Sequence, residues 1–129
     1  MKATEFLTEK FVIKDKIGGI EYGIGDHFMT QWQLPERKHI TWNQITRIIK
    51  RIPYIKPKLL QMINFNKFYL RDSETGVELG CKFTTFGKPE VLLLYINTVV
   101  STDHVRKSDT PVIVVNGPVK SLTIPQGAQ

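Results

Sequence analysis

The chain has 129 residues, of which 41% are hydrophobic and 23% are charged, so it is long enough to bury one core and too apolar for a disordered chain. Its single cysteine, Cys81, excludes an internal disulfide and fits a reducing, cytoplasmic compartment. No segment has the length of a membrane-spanning helix, and the first residues lack the apolar stretch of a secretory signal. We therefore expect one cytoplasmic domain over residues 1–129, without membrane association.

The net charge of +6 is concentrated in one block of the sequence. Residues 1–36 carry four Lys and six acidic residues, and residues 72–129 carry five Lys or Arg and six acidic residues. The block between them, residues 37–71, carries nine Lys or Arg and no acidic residue. A polyanion is the natural partner of such a block, and the alternative is the solvated surface of a basic protein.

The N-terminal part, residues 1–25, predicts a short helix followed by a glycine-rich connection. Residues 10–25 contain four glycines and fit either a short strand or an ordered loop, with a turn at Gly18-Gly19. Asp26 can then cap a short helix that Pro35 would end.

The clearest helix in the sequence begins after Thr41. Thr41 and Gln44 have the spacing of a capping box. Four isoleucines follow at the i, i+3, i+4, i+7 spacing of one helix face: Ile45, Ile48, Ile49 and Ile52. Pro53 would end this helix, and a further short helix is predicted around Pro57. Together, these signals predict a basic helical segment over residues 26–63.

Residues 66–124 predict an antiparallel sheet. The segments "KFYLR" and "VELGCKF" are strands joined by the turn "DSETG", and "EVLLLYINTVV" is apolar on both faces, as in a central strand. "TPVIVV" and "VKSLTI" predict a final hairpin. The predicted fold class is α+β, with N-terminal short helices packed on one face of a four- to five-stranded antiparallel sheet.

No pattern in the sequence predicts a metal ion or a cofactor. The three histidines are scattered, Cys81 has no partner at ligand spacing, and neither a Walker loop nor a dinucleotide fingerprint is present. A basic surface with histidines beside it remains, and this combination suits metal-free RNA cleavage. In that reaction a base takes the 2′-hydroxyl proton, an acid protonates the leaving 5′-oxygen, and cations stabilise the phosphorane.

His27 is the first candidate for proton transfer, because it lies near flexible glycines where the acidic part of the sequence gives way to the basic part. His104, in the loop after the central strand, or Tyr95 would complete the relay. Arg37 would hold the scissile phosphate, since a guanidinium can bind two of its oxygens. For His27, and for His39 in front of the clearest helix, the alternative is a structural role.

Six cations of the block are predicted to bind nucleic acid. They are Arg47, Lys50, Arg51, Lys56, Lys58 and Arg71. Trp42 and Tyr54 flank the basic helix, where their rings could stack on bases. The alternative is that the helix cations form the wet face of an amphipathic helix and that Trp42 belongs to the core.

Three segments of the sequence resemble small tailed-phage proteins: "HFMTQWQLPERKHITWNQITRII", "KFYLRDSETGVELGCKF" and "EVLLLYINTVVSTDHVRKSD". Those phage proteins are similar to the RelE- and RegB-like endoribonucleases of the barnase and colicin-nuclease fold group. In that pattern a His-containing helix precedes an Arg, an Ile-Thr helix start, and a sheet that ends in a Thr-Val strand and a basic loop. The counterparts here are His27, Arg37, Ile40-Thr41, Thr98-Val99 and Arg106-Lys107.

One position departs from the family pattern. Gln31 stands where the pattern has an Arg four residues after the His, which removes a phosphate-binding group from that helix face. The resemblance, over about residues 25–115, implies a phage-type domain of the host cytoplasm that binds single-stranded RNA. If the chain is an enzyme, the resemblance implies metal-independent cleavage of that RNA by 2′-hydroxyl transesterification. The alternative is a non-catalytic nucleic-acid-binding or virion-associated protein with a phage or host protein as its partner.

Overall fold

The computed structural model describes residues 11–101 and 110–115 of the chain. Within these ranges there are three α-helices, two short 3-10 helices and one six-stranded sheet. The strands are β1 (Phe11–Ile17), β2 (Ile20–Gly25), β3 (Phe68–Asp72), β4 (Val77–Phe86), β5 (Val91–Ser101) and β6 (Val112–Val115). The helices are α1 (Asp26–Trp32), α2 (Trp42–Ile49) and α3 (Lys56–Leu60), and the 3-10 helices span Pro35–Arg37 and Ile52–Ile55.

The α+β class is confirmed, but the sheet differs from the expected one. Its strand order is β1-β2-β5-β4-β3-β6. The pairs β1–β2, β5–β4 and β4–β3 are antiparallel, whereas β2–β5 and β3–β6 are parallel. The sheet is therefore mixed and six-stranded within the described residues, and the expectation of four or five purely antiparallel strands was wrong.

Residues 11–25 form a hairpin of two strands, where the sequence analysis expected a glycine-rich connection after a short helix. Its turn is Gly18-Gly19, and both glycines have positive φ (57° and 82°), as a two-residue hairpin turn of the I′ type requires. A side chain at Gly18 would also collide with the 3-10 helix, because its Cβ would lie 2.5 Å from Pro53 Cβ. The helix expected in residues 1–9 lies outside the described residues.

The helices lie between β2 and β3 in sequence, and this placement follows from strand direction. β2 and β3 are both parallel to β5, so the connection between them must cross one face of the sheet. The helices make that crossing, with α1 packed on β2 and β5 and α2 packed on β3 and β4. A hairpin therefore precedes the helices, which were expected to come first in the chain.

The core lies between the helices and this face. Alternate residues of β4 and β5, among them Leu79, Cys81 and Ile96, are fully buried there. The four isoleucines of the predicted apolar helix face are also buried. Burial of each isoleucine side chain stabilises the fold by about 1.5–3 kcal/mol. The capping box is confirmed, because Gln44 N donates to Thr41 Oγ1 (3.1 Å) and Thr41 N donates to Gln44 Oε1 (2.9 Å).

Two sequence expectations near the end of the chain have different outcomes. β6 corresponds to "TPVIVV", but its partner in the structure is β3, in parallel. The second strand of the expected hairpin, "VKSLTI", lies outside the described residues.

Cys81 is buried, and burial raises the pKa of its thiol, which makes it unreactive at neutral pH.

Candidate nucleic-acid interface

The outer face of α2 and the β3–β4 turn enclose an open cleft of about 400 Å³. Its lining is polar and basic: Asn43, Gln44, Thr46, Arg47, Lys50, Arg51 and Thr75. Four of these residues follow the i, i+3, i+4, i+7 spacing from Asn43, so they share the helix face opposite the isoleucines. Three of the six predicted nucleic-acid-binding cations thus lie together at one cleft.

Two of the three cations at the cleft are paired with carboxylates of the β3–β4 region. Arg47 Nε lies 2.7 Å from Asp72 Oδ2, and Arg47 Nη2 contacts Glu74 Oε1. Arg51 Nη1 lies 3.5 Å from Asp72 Oδ1. The stretch without acidic residues is therefore not acid-free in space, because the first acidic residues after it fold back onto its helix.

Asp72 is the centre of this group, which we call the arginine clasp (Arg47, Arg51 and Asp72). Its side chain is fully buried and also accepts hydrogen bonds from Glu74 N (3.0 Å) and Thr75 Oγ1 (3.1 Å). A buried carboxylate is tolerated only when it is paired and hydrogen-bonded, and the two guanidinium groups supply the positive charge. The clasp ties α2 to the β3–β4 turn.

Arg51 belongs to the interior of the clasp, since only 1% of its surface is exposed. Burial lowers the pKa of Arg51, and the neighbouring Asp72 opposes this change. A guanidinium remains charged in proteins even so. Arg51 was predicted to contact nucleic acid, but the structure gives it a role in holding the fold.

Arg71 lies on the other side of the sheet from the cleft. It is opposite Glu78 in the β3–β4 pair, and its Nε donates to Glu78 Oε2 over 2.7 Å. Their neighbours Leu70 and Leu79 face the helices, so alternation along the strands directs Arg71 and Glu78 to the opposite face. The structure does not bring Arg71 together with the cations of α2.

The lysines of the block are exposed. Lys50, Lys56 and Lys58 are all on the surface, and none forms an ion pair within the described residues. Lys56 Nζ reaches the β1–β2 turn, where it would lie 3.3 Å from a Cβ at Gly19. We call these three residues the lysine strip, after their order in the sequence; Lys50 lines the cleft and Lys56 lies at that turn.

Two aromatic side chains of the same basic block, residues 37–71, are also exposed. Tyr54 is 52% exposed, and Trp42 is 39% exposed. The Trp42 ring contacts the Trp32 ring at 5.8 Å, with 32° between the planes, so Trp42 lies at the edge of the core and still presents ring surface to solvent. Both residues were predicted as candidates for base stacking, and both have accessible ring surface.

A second group lies at α1. His27 is exposed in the first turn, and Gln31 is one helical turn further on. Arg37 Nη1 donates to Gln31 Oε1, which brings the guanidinium back to the helix face that carries His27. Gln31 therefore holds an arginine from elsewhere in the chain.

The structure does not bring Tyr95 to His27. Tyr95 lies between Leu94 and Ile96, which face the helices, so its ring is directed to the opposite side of the sheet. There it packs edge-on against Phe11 at 5.6 Å and is only 6% exposed. His39 is exposed in the loop before α2, and His104 lies outside the described residues.

Asp72 and Glu74 are the site residues that the sequence analysis missed. The sequence analysis assigns them to the "DSETG" turn and counts them with residues 72–129. One feature of the sequence could have indicated their role. They are the first acidic residues after a long basic stretch, and so they are natural partners for the cations of the basic helix.

Within the described residues, no cluster of His, Cys, Asp and Glu could hold a metal ion. In the same part of the chain, no helix is both long and apolar enough to cross a membrane. Compared with protein-family models, curated proteins and solved structures, the chain matches none of them.

Proposed function

We propose that the protein binds single-stranded RNA along the lysine strip and its exposed aromatic rings. The observation that carries the proposal is the combination of three exposed lysines with the exposed rings of Trp42 and Tyr54 on one stretch that contains no acidic residue. Ammonium groups bind phosphates without regard to sequence, and a base that stacks on an aromatic ring contributes about 1–3 kcal/mol. Such stacking favours single strands, whose bases are accessible.

The test compares two double variants that remove the same charge. Lys50→Gln/Lys58→Gln removes two lysines of the strip, and Lys82→Gln/Lys88→Gln removes two exposed lysines of β4 and its following turn. With fluorescein-labelled oligouridine in an anisotropy titration, we expect the first variant to lose about tenfold in affinity and the second to change little. Equal losses would contradict the proposal, because they would reflect net charge alone.

A second candidate function is metal-independent RNA cleavage, and the contact of Arg37 with Gln31 favours it. This contact supports a site in which His27 transfers a proton and the Arg37 guanidinium holds the scissile phosphate. His104 is the proposed second proton-transfer group. The relationship to RelE- and RegB-like endoribonucleases of phage, and a cytoplasmic location, belong to this proposal and rest on the residue pattern.

Cleavage is tested with single-stranded RNA in EDTA, with product ends analysed for a 2′,3′-cyclic phosphate. We expect cyclic-phosphate products from the unmodified protein and none from His27→Ala, with His39→Ala as the control for loss of an exposed histidine. Cleavage by His27→Ala at the full rate would remove His27 from the mechanism. Binding without any product would leave the RNA-binding proposal and reject cleavage.

A further inference from the structure

We infer that Glu74 acts as an internal competitor for RNA, in that its carboxylate holds Arg47 at the cleft until an RNA phosphate replaces it. This inference rests on the proposed RNA-binding function and concerns the regulation of that surface. It is carried by the contrast between the two carboxylates that share Arg47.

The two carboxylates differ in how firmly the structure holds them. Asp72 is fully buried and has contacts to two arginines, one backbone amide and one hydroxyl group. The Glu74 side chain is 51% exposed, and its carboxylate forms an ion pair with Arg47 while it also acts on the charge of Arg51 from a greater distance. Exposed ion pairs of this kind contribute little to stability, so Glu74 can leave while Asp72 stays.

Arg47 is arranged to keep one partner while it exchanges the other. Its Nε lies 2.7 Å from Asp72, and its Nη2 contacts Glu74. The guanidinium is planar, so a group that replaces Glu74 can bind its outer edge without disturbing the Nε side. The arginine side chain is 34% exposed, which leaves that edge accessible from the cleft.

The surroundings of this edge suit a phosphate better than a carboxylate. Lys50 lies on the same helix face one turn beyond Arg47 and has no ion pair within the described residues. Asn43 and Thr46 add polar groups to the same lining. A phosphate at the position of Glu74 would accept charge-assisted hydrogen bonds from Arg47 and also face Lys50.

Removal of the competitor is expected to increase RNA affinity, and a matched variant separates this effect from net charge. Glu74→Gln and Glu90→Gln each raise the net charge of +6 by one. Glu90 is exposed in the β4–β5 turn, at the opposite end of the ten-residue strand β4. It lies roughly 30 Å from Glu74, well beyond the screening length of about 8 Å in physiological salt.

The experiment measures the dissociation constant of labelled oligouridine for the unmodified protein, Glu74→Gln, Glu90→Gln, Arg47→Gln and Arg47→Gln/Glu74→Gln. We expect Glu74→Gln to bind about three- to fivefold more tightly. We expect Glu90→Gln to match the unmodified protein. In the Arg47→Gln background, the Glu74 substitution should have no effect beyond that of Glu90→Gln. Thermal unfolding of each variant confirms that the fold is intact.

The outcomes separate this inference from the proposed function. Equal affinities of Glu74→Gln and Glu90→Gln, in proteins that bind RNA, would overturn the inference and leave the RNA-binding proposal in place. A gain from Glu74→Gln that persists without Arg47 would also overturn it, because the competition would not involve that guanidinium. Absence of RNA binding in every variant, Glu74→Gln included, would overturn the proposed function and the inference together.

Discussion

The arginines of the arginine clasp and the lysines of the lysine strip come from one stretch of sequence, residues 37–71, but the fold uses them differently. The arginines of the clasp are partly or fully buried and share a buried carboxylate. The lysines of the strip are exposed and form no ion pair within the described residues. A planar, weakly hydrated guanidinium suits a buried ion pair, whereas a strongly hydrated ammonium suits the surface. Charge counted along the sequence cannot distinguish these two uses.

The largest effect is expected when the centre of the clasp is changed. Asp72→Asn leaves two guanidinium groups near a buried neutral side chain, and breaking such an ion pair costs about 3–5 kcal/mol. Urea unfolding monitored by circular dichroism should show this loss in the free energy of unfolding. Ser73→Ala, at an exposed residue of the same turn, is the control and should change stability little. A cost for Asp72→Asn below about 1 kcal/mol would mean that the clasp does not hold the fold.

Exchanging arginine and lysine, at a buried and at an exposed position, tests whether each residue type suits its environment. Arg51→Lys keeps the charge but replaces a buried fork with an ammonium, and we expect it to cost about 1–3 kcal/mol of stability. Lys50→Arg, at the adjacent exposed position, should be neutral within about 0.5 kcal/mol. The same urea titrations measure both. Equal costs would contradict this account, because the buried position would then be no more sensitive to the choice between arginine and lysine than the exposed one.

A smaller effect, on binding and not on stability, is expected for the exposed ring of Tyr54. Tyr54→Ala should weaken oligouridine binding by about 1–2 kcal/mol, since it removes one stacking surface. Tyr54→Phe retains the ring and should bind as the unmodified protein does. Anisotropy titrations at fixed salt compare the three. Loss of affinity in both variants would assign the effect to the hydroxyl group and argue against stacking.

The smallest effect is expected for the stability of Glu74→Gln. The pair with Arg47 is exposed, so its loss should cost no more than about 1 kcal/mol in the free energy of unfolding. The expected contrast with Asp72→Asn follows from burial, since both substitutions remove one carboxylate from the same arginine. A cost similar to that of Asp72→Asn would make Glu74 a structural member of the clasp.

Local signals account for the parts of the fold that the sequence analysis predicted correctly. The capping box at Thr41 and the isoleucine pattern act within one or two helical turns, so a single sequence reveals them. The central position of β5 was also visible, because that strand is apolar on both faces. For the same reason, the sequence did not show which face of the sheet Tyr95 is on, because the alternation of polar and apolar residues cannot assign faces where both are apolar.

The features that the analysis missed depend on long-range pairing. The parallel pairs β2–β5 and β3–β6 join segments far apart in sequence, and no local pattern specifies them. A short strand was one of the two alternatives for residues 10–25, but its pairing as the charged edge strand β1, with Lys14, Asp15 and Lys16, was not predicted. The pairing of Arg47 with Asp72 likewise needs the fold, which places the β3–β4 turn beside α2.

The salt dependence of RNA binding is the measurement that best tests the central claim, namely that the lysine strip and the outer edge of Arg47 contact RNA while Arg51 and Asp72 hold the fold. For single strands, the logarithm of the binding constant falls against the logarithm of salt concentration with a slope of about −0.7 per phosphate contact. Contacts by the three lysines of the strip and by Arg47 predict a slope of about −3. A slope near −4, as expected if all six candidate cations contacted phosphates, would contradict the assignment of Arg51 to the fold and of Arg71 to the opposite side of the sheet.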